Sequence, residues 1–464
     1  MVKLQTAMRS SVTSVLKPLS RFSGHRLGIA VFLVAVVFRG AVGWVFVDNF
    51  DADPDAYAAI ANSIERTGVY GLTDDQGIAR PTAFRPPLYP WILAVLSISD
   101  QDHRIEILVL HAMLGGWTVL ATFLIAMRYT SSRWSFLAAG LVLLDPILLM
   151  QSTLVMTETL ATALAATVLW WCSVMTSHSR RPERAQRSSG NPMLLRCNCR
   201  NFAALVPAYS VPAYSVLGIL LALSYLCRPT FLVWAVLLLF ALAGVSAWRQ
   251  RWVNMLQPAI ALLIVAAGVG AWTARNWTVI GHPVWATTHG GYTLLLGNNP
   301  MFYQHLRTSR PGEAWDAEPF LEDYKNRLQE HPEIVDEHSD DRWAYEKAKA
   351  TIVSQPQVFA YSSLVRLARL WSPMPHQVQG RSASMNLAVG IFYTCVFLTS
   401  LIGLFKQRHR LLEPFMLAGL TLAITLSVVH SVYWSNMRMR APLTPALAVL
   451  VAAGCCRNVK VNTD

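Results

Sequence analysis

Residues 27–57 read LGIAVFLVAVVFRGAVGWVFVDNFDADPDAY: an unbroken apolar run with a single arginine, Arg39, then four aspartates, Asp48, Asp51, Asp53 and Asp55, closed by Tyr57. A run of about 20 apolar residues spans a bilayer core as one helix. A cleaved secretory leader would have a shorter apolar core and a small-residue cleavage site, so this run reads as a retained first helix. The basic residues before it (Lys3, Arg9, Lys17, Arg21, Arg26) put its N-terminal side in the cytoplasm. The acidic cluster then emerges on the opposite face.

The same pattern repeats along the chain. Apolar runs at 105–127, 134–151, 157–175, about 205–226, 231–247, 256–274, 386–405, 412–432 and 441–456 give about ten transmembrane helices in all. Pro207 and Pro212, in a tandem Pro-Ala-Tyr-Ser-Val repeat, fall in the fifth run; prolines are tolerated there when neighbours satisfy the freed carbonyls. The composition agrees, with 53% hydrophobic and only 14% charged residues, against about 25% charged in soluble domains.

Loop charge orients these runs. One set of loops holds Arg128 and Arg133, the arginines between 180 and 200, Arg249 and Arg251, Lys406, Arg408 and Arg410, then Arg457 and Lys460. The other side carries two long stretches, 48–106 and 277–372, with 22 of the 27 acidic residues. The asymmetry has the same sign at every crossing, which places the arginine loops in the cytoplasm of a multi-pass plasma (inner) membrane protein. The net charge of +12 is thereby accounted for without nucleic acid. The expected organisation is a cytoplasmic N-terminus 1–26, a transmembrane core 27–275 that includes the outer loop 48–104, and a large outer loop 276–385. Transmembrane helices 386–456 and a cytoplasmic tail 457–464 complete it. Connections of that length seldom serve as connectors alone. Phe320, Leu321 and Tyr324, then Leu364, Leu367, Ala368 and Trp371, recur at helical spacing, so the larger loop contains amphipathic helices.

The seven cysteines lie mostly in or beside apolar runs or in an arginine-rich loop, and Cys197-x-Cys199 lacks zinc-site spacing. No His/Asp set shows ligand spacing either, so neither a metal nor another cofactor is assigned.

The candidate chemical groups gather at the outer face. Asp53-Pro54 reads as a helix start, with Asp as N-cap and Pro at the first helical position. The following helix buries Tyr57, Ile60, Ala61 and Ile64 and lies along the membrane surface. Asp53 is thus either a cap or a carboxylate held where lipid head groups meet water. Arg85, in FRPPLYPWI, either snorkels to bulk lipid phosphate or binds one specific phosphate. Asp145, Glu158 and Arg228 are ionisable groups in apolar runs near the same face, and Arg39 lies inside the first run; such groups are functional hypotheses by default. Glu158 is also favoured simply by its helix N-terminus. Arg275, His430, Arg438 and Arg440 lie at outer span ends. One carboxylate base and several arginines suit transfer of a sugar from a phosphate-linked lipid. The leaving phosphate needs charge stabilisation, and the acceptor needs only a base.

Seven motifs occur in order: DADPDAYAAIANSI, FRPPLYPWI, LLDPILLMQSTLVMTETL, LSYLCRPTFL, ARNWTVIGHPVW, THGGYTLLLGNNP and MRMRAPLTPAL. Together they resemble the GT-C superfamily of membrane glycosyltransferases, in the branch of protein O-mannosyltransferases and lipid A aminoarabinose transferases (glycosyltransferase family 39-like). The resemblance implies an all-α polytopic GT-C-A-like fold with amphipathic helices in the first outer loop and a small helical outer segment. It implies an inverting transfer from a polyprenyl-phosphate sugar to a glycan, lipid or protein acceptor. It also implies a catalytic aspartate four residues before a tyrosine, here Asp53 before Tyr57, with Asp55 a rival because Pro54 interrupts the usual acidic pair. Arg85 matches a donor-phosphate contact and Glu158 a second acidic position, while Arg228, Arg438 and Arg440 fall in family motifs. The competing readings are a lipid or solute transporter or flippase, a polysaccharide polymerase or ligase, and a degenerate, inactive relative, a reading that Pro54 keeps open. The absence of repeat symmetry argues against a transporter.

Overall fold

The computed structural model describes residues 26–96, 103–179, 195–249, 255–309, 313, 315–375 and 382–456, with backbone alone for 177–179 and 195–210. The N-terminal segment, most of the 180–200 arginine loop and the C-terminal tail lie outside the described residues.

Helix dominates. The first helix, α1, runs Arg26–Val45. A 3-10 turn, Val47–Asp51, leads to α2 (Tyr57–Thr67), the short strands β1 (Gly71–Thr73) and β2 (Ala79–Pro81), and α3 (Leu88–Leu96). Then come α4 (Arg104–Tyr129), α5 (Ser132–Leu143), α6 (Pro146–Gln151), α7 (Glu158–Ser179), α8 (Leu195–Cys227), α9 (Thr230–Trp248) and α10 (Leu256–Ile280). The stretch expected on the outer side, and named the outer segment (as the first outer loop is) for that expectation, supplies α11 (Gly290–Gly297), α12 (Pro300–Thr308), α13 (Glu318–Glu330), α14 (Glu337–Ser354) and α15 (Pro356–Trp371). It is followed by α16 (Ala383–Lys406), α17 (Pro414–Val432), a 3-10 segment Met437–Leu443 and α18 (Thr444–Cys455).

Among the described residues, seven helices are long and apolar enough to cross a membrane: α1, α4, α7, α9, α10, α16 and α17. Three of the ten expected spans differ. The described apolar part of α8 is Val211–Cys227. The run 134–151 is not one helix, because Asp145-Pro146 breaks it into α5 and α6. Asp145 accepts from the Leu148 amide at 2.9 Å as the N-cap of α6, with Pro146 in its first turn. The run 441–456 is likewise divided, because Pro442 lies in the 3-10 segment that precedes α18. The helix expected to begin at Asp53-Pro54 begins instead at Tyr57, after Ala56 in a left-handed conformation with φ 59°. Two strands stand where no strand was expected. They form an antiparallel hairpin pairing Gly71 with Pro81 and Thr73 with Ala79.

The bundle is held by close helix contact and by buried arginines. Gly403 of α16 lies against the Leu450 carbonyl of α18, and Gly454 of α18 against the Thr399 carbonyl. A Cβ at either position would overlap backbone, so these two helices approach only because both residues are glycine. Lys406 then donates to the Gly454 carbonyl at 2.5 Å and the Cys456 carbonyl at 3.1 Å, closing the C-terminal end of α18. Arg39 of α1 is 3% exposed and donates to the Val142 and Leu148 carbonyls, each at 2.8 Å. It thereby satisfies the Val142 carbonyl, left free because Pro146 has no N–H, and ties it to the Leu148 carbonyl in the last turn of α6. Tyr393 of α16 donates to Asp145 at 2.8 Å from the other side. Arg39 and Asp145, candidates for chemistry by their position in apolar runs, thus sit at a structural joint.

Replacing Asp145 by Ala would leave the Tyr393 hydroxyl and the Leu148 amide without an acceptor in a buried site. A loss of about 1–3 kcal/mol for each group left unpaired follows. Thermal unfolding of the purified protein in detergent should show Asp145→Ala strongly destabilised and Asp145→Asn much less so. Equal stability of all three forms would contradict this account of the joint.

Candidate active site

The four aspartates after α1 separate into two pairs. Asp48 and Asp51 each lie 3.3 Å from Arg104 at the start of α4. Asp53 and Asp55 turn towards α2 and α3. Asp53 accepts from the amides of Tyr57 at 2.8 Å and Ala59 at 2.9 Å, so its carboxylate covers the free N-terminus of α2 from outside the helix. Partial burial raises its pKa above the ordinary aspartate value; the backbone donors oppose the shift and the neighbouring Asp55 charge adds to it.

Asp55 is held by Arg85. The guanidinium donates to the Asp55 carboxylate at 2.6 Å and to the Asp55 carbonyl at 2.7 Å. Arg85 is 9% exposed and lies between rings, 4.4 Å from the Phe84 centroid and 5.5 Å from that of Tyr57. Tyr57 meets Tyr89 edge-on at 5.3 Å, and Tyr89 hydrogen-bonds His111, whose other ring nitrogen is 3.0 Å from the Ser152 carbonyl. The first outer loop is thus packed on α4 and α6 through one aromatic column.

A second charged cluster forms from residues far apart in sequence. Arg228, between α8 and α9, lies 2.8 Å from Glu158 at the start of α7 and donates to the Thr157 hydroxyl at 2.8 Å. Arg438, before α18, approaches the same Glu158 oxygen at 3.6 Å. Glu158 is fully buried, so two guanidinium groups against one carboxylate leave a positive excess. Tyr57 joins the two clusters. Its phenol lies in the field of Arg85 and Asp55 on one hand and of Arg228 on the other, with Thr157 as hydrogen-bond partner. Burial pushes it up to about 12, so it is neutral at physiological pH.

Arg440 does not join them. It donates to the Leu370 carbonyl at 2.6 Å and the Ser372 carbonyl at 2.7 Å, and it lies 4.5 Å over the Tyr393 ring. Alternation explains the split: Arg438 and Arg440 lie two apart in a 3-10 segment of about three residues per turn, so they face different neighbours. Arg275 is also engaged with backbone, at the Thr82 carbonyl (2.7 Å) and the Tyr70 carbonyl (2.8 Å). His430 is buried with Nδ1 3.1 Å from the Trp434 carbonyl.

The sequence motifs did not single out the side chains of the outer segment that pack beside these clusters. His289 meets the Phe84 ring at 4.8 Å and Tyr292 at 4.9 Å. Burial, reinforced by Arg85, lowers the His289 pKa to about 3, so it stands neutral beside the guanidinium. Gly290 and Gly291 open α11, and a Cβ on them would overlap the Tyr345 hydroxyl and the Asp341 carbonyl of α14. Asp341 accepts from the Gly291 amide at 2.6 Å, and burial raises its pKa to about 6. Glu337 reaches across to the first outer loop, accepting from the Thr82 hydroxyl at 2.5 Å and the Ala83 amide at 2.7 Å. The motif THGGYTLLLGNNP carried the only local signal, its paired glycines.

Glu337 and Arg275 therefore hold the segment that leads into Arg85. Glu337→Ala should raise amide hydrogen exchange at residues 82–85, with little change in the transmembrane helices, by about tenfold per 1.4 kcal/mol of lost local stability. Unchanged exchange at Ala83 would show that Glu337 does not restrain the loop.

Residues 86–190 match the family model for dolichyl-phosphate-mannose-protein mannosyltransferase. No curated protein matches the chain. Among solved structures, the chain is similar to the archaeal oligosaccharyltransferase AglB from Archaeoglobus fulgidus, in complex with an inhibitory peptide and a dolichol-phosphate. The identity is 14% over 92% of this chain and 50% of that one, with a TM-score of 0.48. It is also similar to ArnT from Cupriavidus metallidurans bound to undecaprenyl phosphate, at 15% identity over 93% and 77% of the two chains, with a TM-score of 0.36. This chain spans about half the length of the archaeal enzyme. Neither structure bears on the chemistry of this chain at those values. The family match covers FRPPLYPWI from Pro86 onward and LLDPILLMQSTLVMTETL, two of the motifs that carry the resemblance, so over these residues this polytopic membrane protein is similar to the dolichyl-phosphate-mannose-protein mannosyltransferases.

Proposed function

We propose that the protein is an inverting glycosyltransferase that moves a sugar from a polyprenyl-phosphate donor to an acceptor hydroxyl or amine at the outer face of the membrane. The observation that supports this most is the meeting of two arginine–carboxylate clusters at Tyr57, beside a partly buried aspartate at a helix N-terminus.

The arginines fall into two chemical kinds. Arg39 and Arg440 make their strong bonds to backbone carbonyls that cannot leave. Arg85, Arg228 and Arg438 face carboxylates instead, and a phosphate presents the same planar-fork target as a carboxylate. In this reading the donor phosphate exchanges for the Asp55 carboxylate on Arg85, and the positive excess around Glu158 stabilises the charge that develops on the departing phosphate. Asp53, not engaged by a guanidinium, takes the acceptor proton as base. The acceptor oxygen or nitrogen forms a bond to the anomeric carbon on the face opposite the leaving phosphate, and the C–O bond to that phosphate breaks with its electron pair. Tyr57, neutral and wedged between the clusters, holds their spacing.

Purified protein should be assayed against a panel of polyprenyl-phosphate sugars. Asp53→Asn should cut transfer by about 10²–10⁴-fold while leaving a monodisperse, folded protein, whereas Arg85→Ala should chiefly raise the donor concentration needed. Full activity of Asp53→Asn would move the base to Asp55, and failure of the wild type with every sugar of the panel would remove the transferase reading.

The pH dependence has a defined sign. A base acts deprotonated, and the Asp53 pKa is raised in the folded protein. Activity should therefore fall as pH drops through that raised pKa, with the acid limb of kcat/KM above the ordinary aspartate value of about 3.9. A limb at or below that value, at constant stability, would exclude Asp53 as the titrating base.

A further inference from the structure

We propose that His282, Asp336 and His338 form a divalent transition-metal site, of the kind zinc occupies, that staples the segment leaving α10 to the start of α14. One ligand atom from each of the three residues lies within 4.8 Å of the other two. His282 Nε2 is 3.6 Å from the Asp336 carboxylate, and the His282 and His338 rings are stacked at 3.8 Å with planes 6° apart. Parallel rings aim their nitrogen lone pairs side by side, so one imidazole must turn about its side-chain bonds for both to bind a single cation next to the carboxylate.

Asp336 is oriented for this role by its own helix. One of its oxygens accepts from the Ser339 amide and hydroxyl, each at 2.7 Å, as part of a capping box. The other oxygen is the one that faces His282. The carboxylate is thus fixed by hydrogen bonds on the side away from the histidines, the arrangement that orients metal-binding carboxylates elsewhere. Two imidazoles and one carboxylate suit zinc and its transition-metal neighbours, not magnesium or calcium, which take oxygen ligands. Metal–ligand bonds of about 2.0–2.2 Å require the three groups to close further, and the partly exposed histidine side chains have room to tilt. Water completes the coordination.

The site has a mechanical consequence. Glu337 stands between Asp336 and His338, and it is the residue that holds Thr82 and Ala83 ahead of Arg85. A metal on the two flanking residues fixes the α14 terminus and, through Glu337, the approach of the first outer loop. These residues position the loop and touch no reacting atom. The inference stands on this geometry and does not depend on the transferase reading.

The test uses the full chain in detergent, stripped with EDTA, desalted and titrated with Zn²⁺ alone. Wild type should retain one more equivalent than His282→Ala or His338→Ala, and it should show a Zn²⁺-dependent rise in melting temperature that both variants lack. Loss of either ligand should weaken binding at least about 100-fold, beyond the roughly 10–100-fold cost of disturbing an outer partner. Equal stoichiometry and affinity in wild type and both variants would overturn the site, as would a wild type that retains no zinc. Should a variant fail to fold, Zn²⁺ protection of His282 and His338 from diethyl pyrocarbonate in the wild type decides the question, and unprotected histidines count against it.

Discussion

A guanidinium buried among apolar helices must find oxygen, and in this protein the oxygen comes from places where helices stop. An uninterrupted helix uses its carbonyls internally; only its last turn has carbonyls free. Arg39 takes the Val142 carbonyl at the end of α5 and the Leu148 carbonyl in the last turn of α6, Arg366 those of Gly297 and Ser431, and Arg440 those of Leu370 and Ser372. Each arginine therefore ties one element to the broken end of another. In a chain whose apolar surfaces give lipid and protein neighbours similar attraction, such directional ties specify which helices meet.

The same requirement separates scaffold from site. Where an arginine is answered by carbonyls, its bonds belong to the fold. Where it is answered by a carboxylate, as Arg85 is by Asp55 and Arg228 by Glu158, the partner is a side chain, and it is there that the proposed function seats the donor phosphate. Burying a charge is costly unless it is paired. These pairs hold the arginines in place, and the Tyr57 phenol lies in the field of both.

The first outer loop and the outer segment act as one support. The loop's own elements are two short helices, α2 and α3, and a hairpin of two three-residue strands. Arg275 clasps its backbone from α10 and Glu337 from α14, while Tyr70 donates to the Arg85 carbonyl at 2.9 Å. The placement of Arg85 thus depends on residues from three distant parts of the chain.

The amino-acid sequence by itself determined the membrane class and most of the apolar helices, and it drew attention to the first outer loop. These follow from run length, from the acidic and basic partition of the loops and from the order of local motifs, all of which act over neighbouring residues. It did not determine that Asp145-Pro146 ends a helix, because a capping aspartate inside an apolar run is indistinguishable from a buried charge until its Leu148 amide and Tyr393 partners are seen. Nor did it separate Arg438 from Arg440, or bring His289 to Arg85 and His282 to His338. Those outcomes rest on which helix end offers a free carbonyl and which loop crosses which helix. Only the tertiary structure decides them, because the partners are far apart in sequence and no local spacing records their meeting.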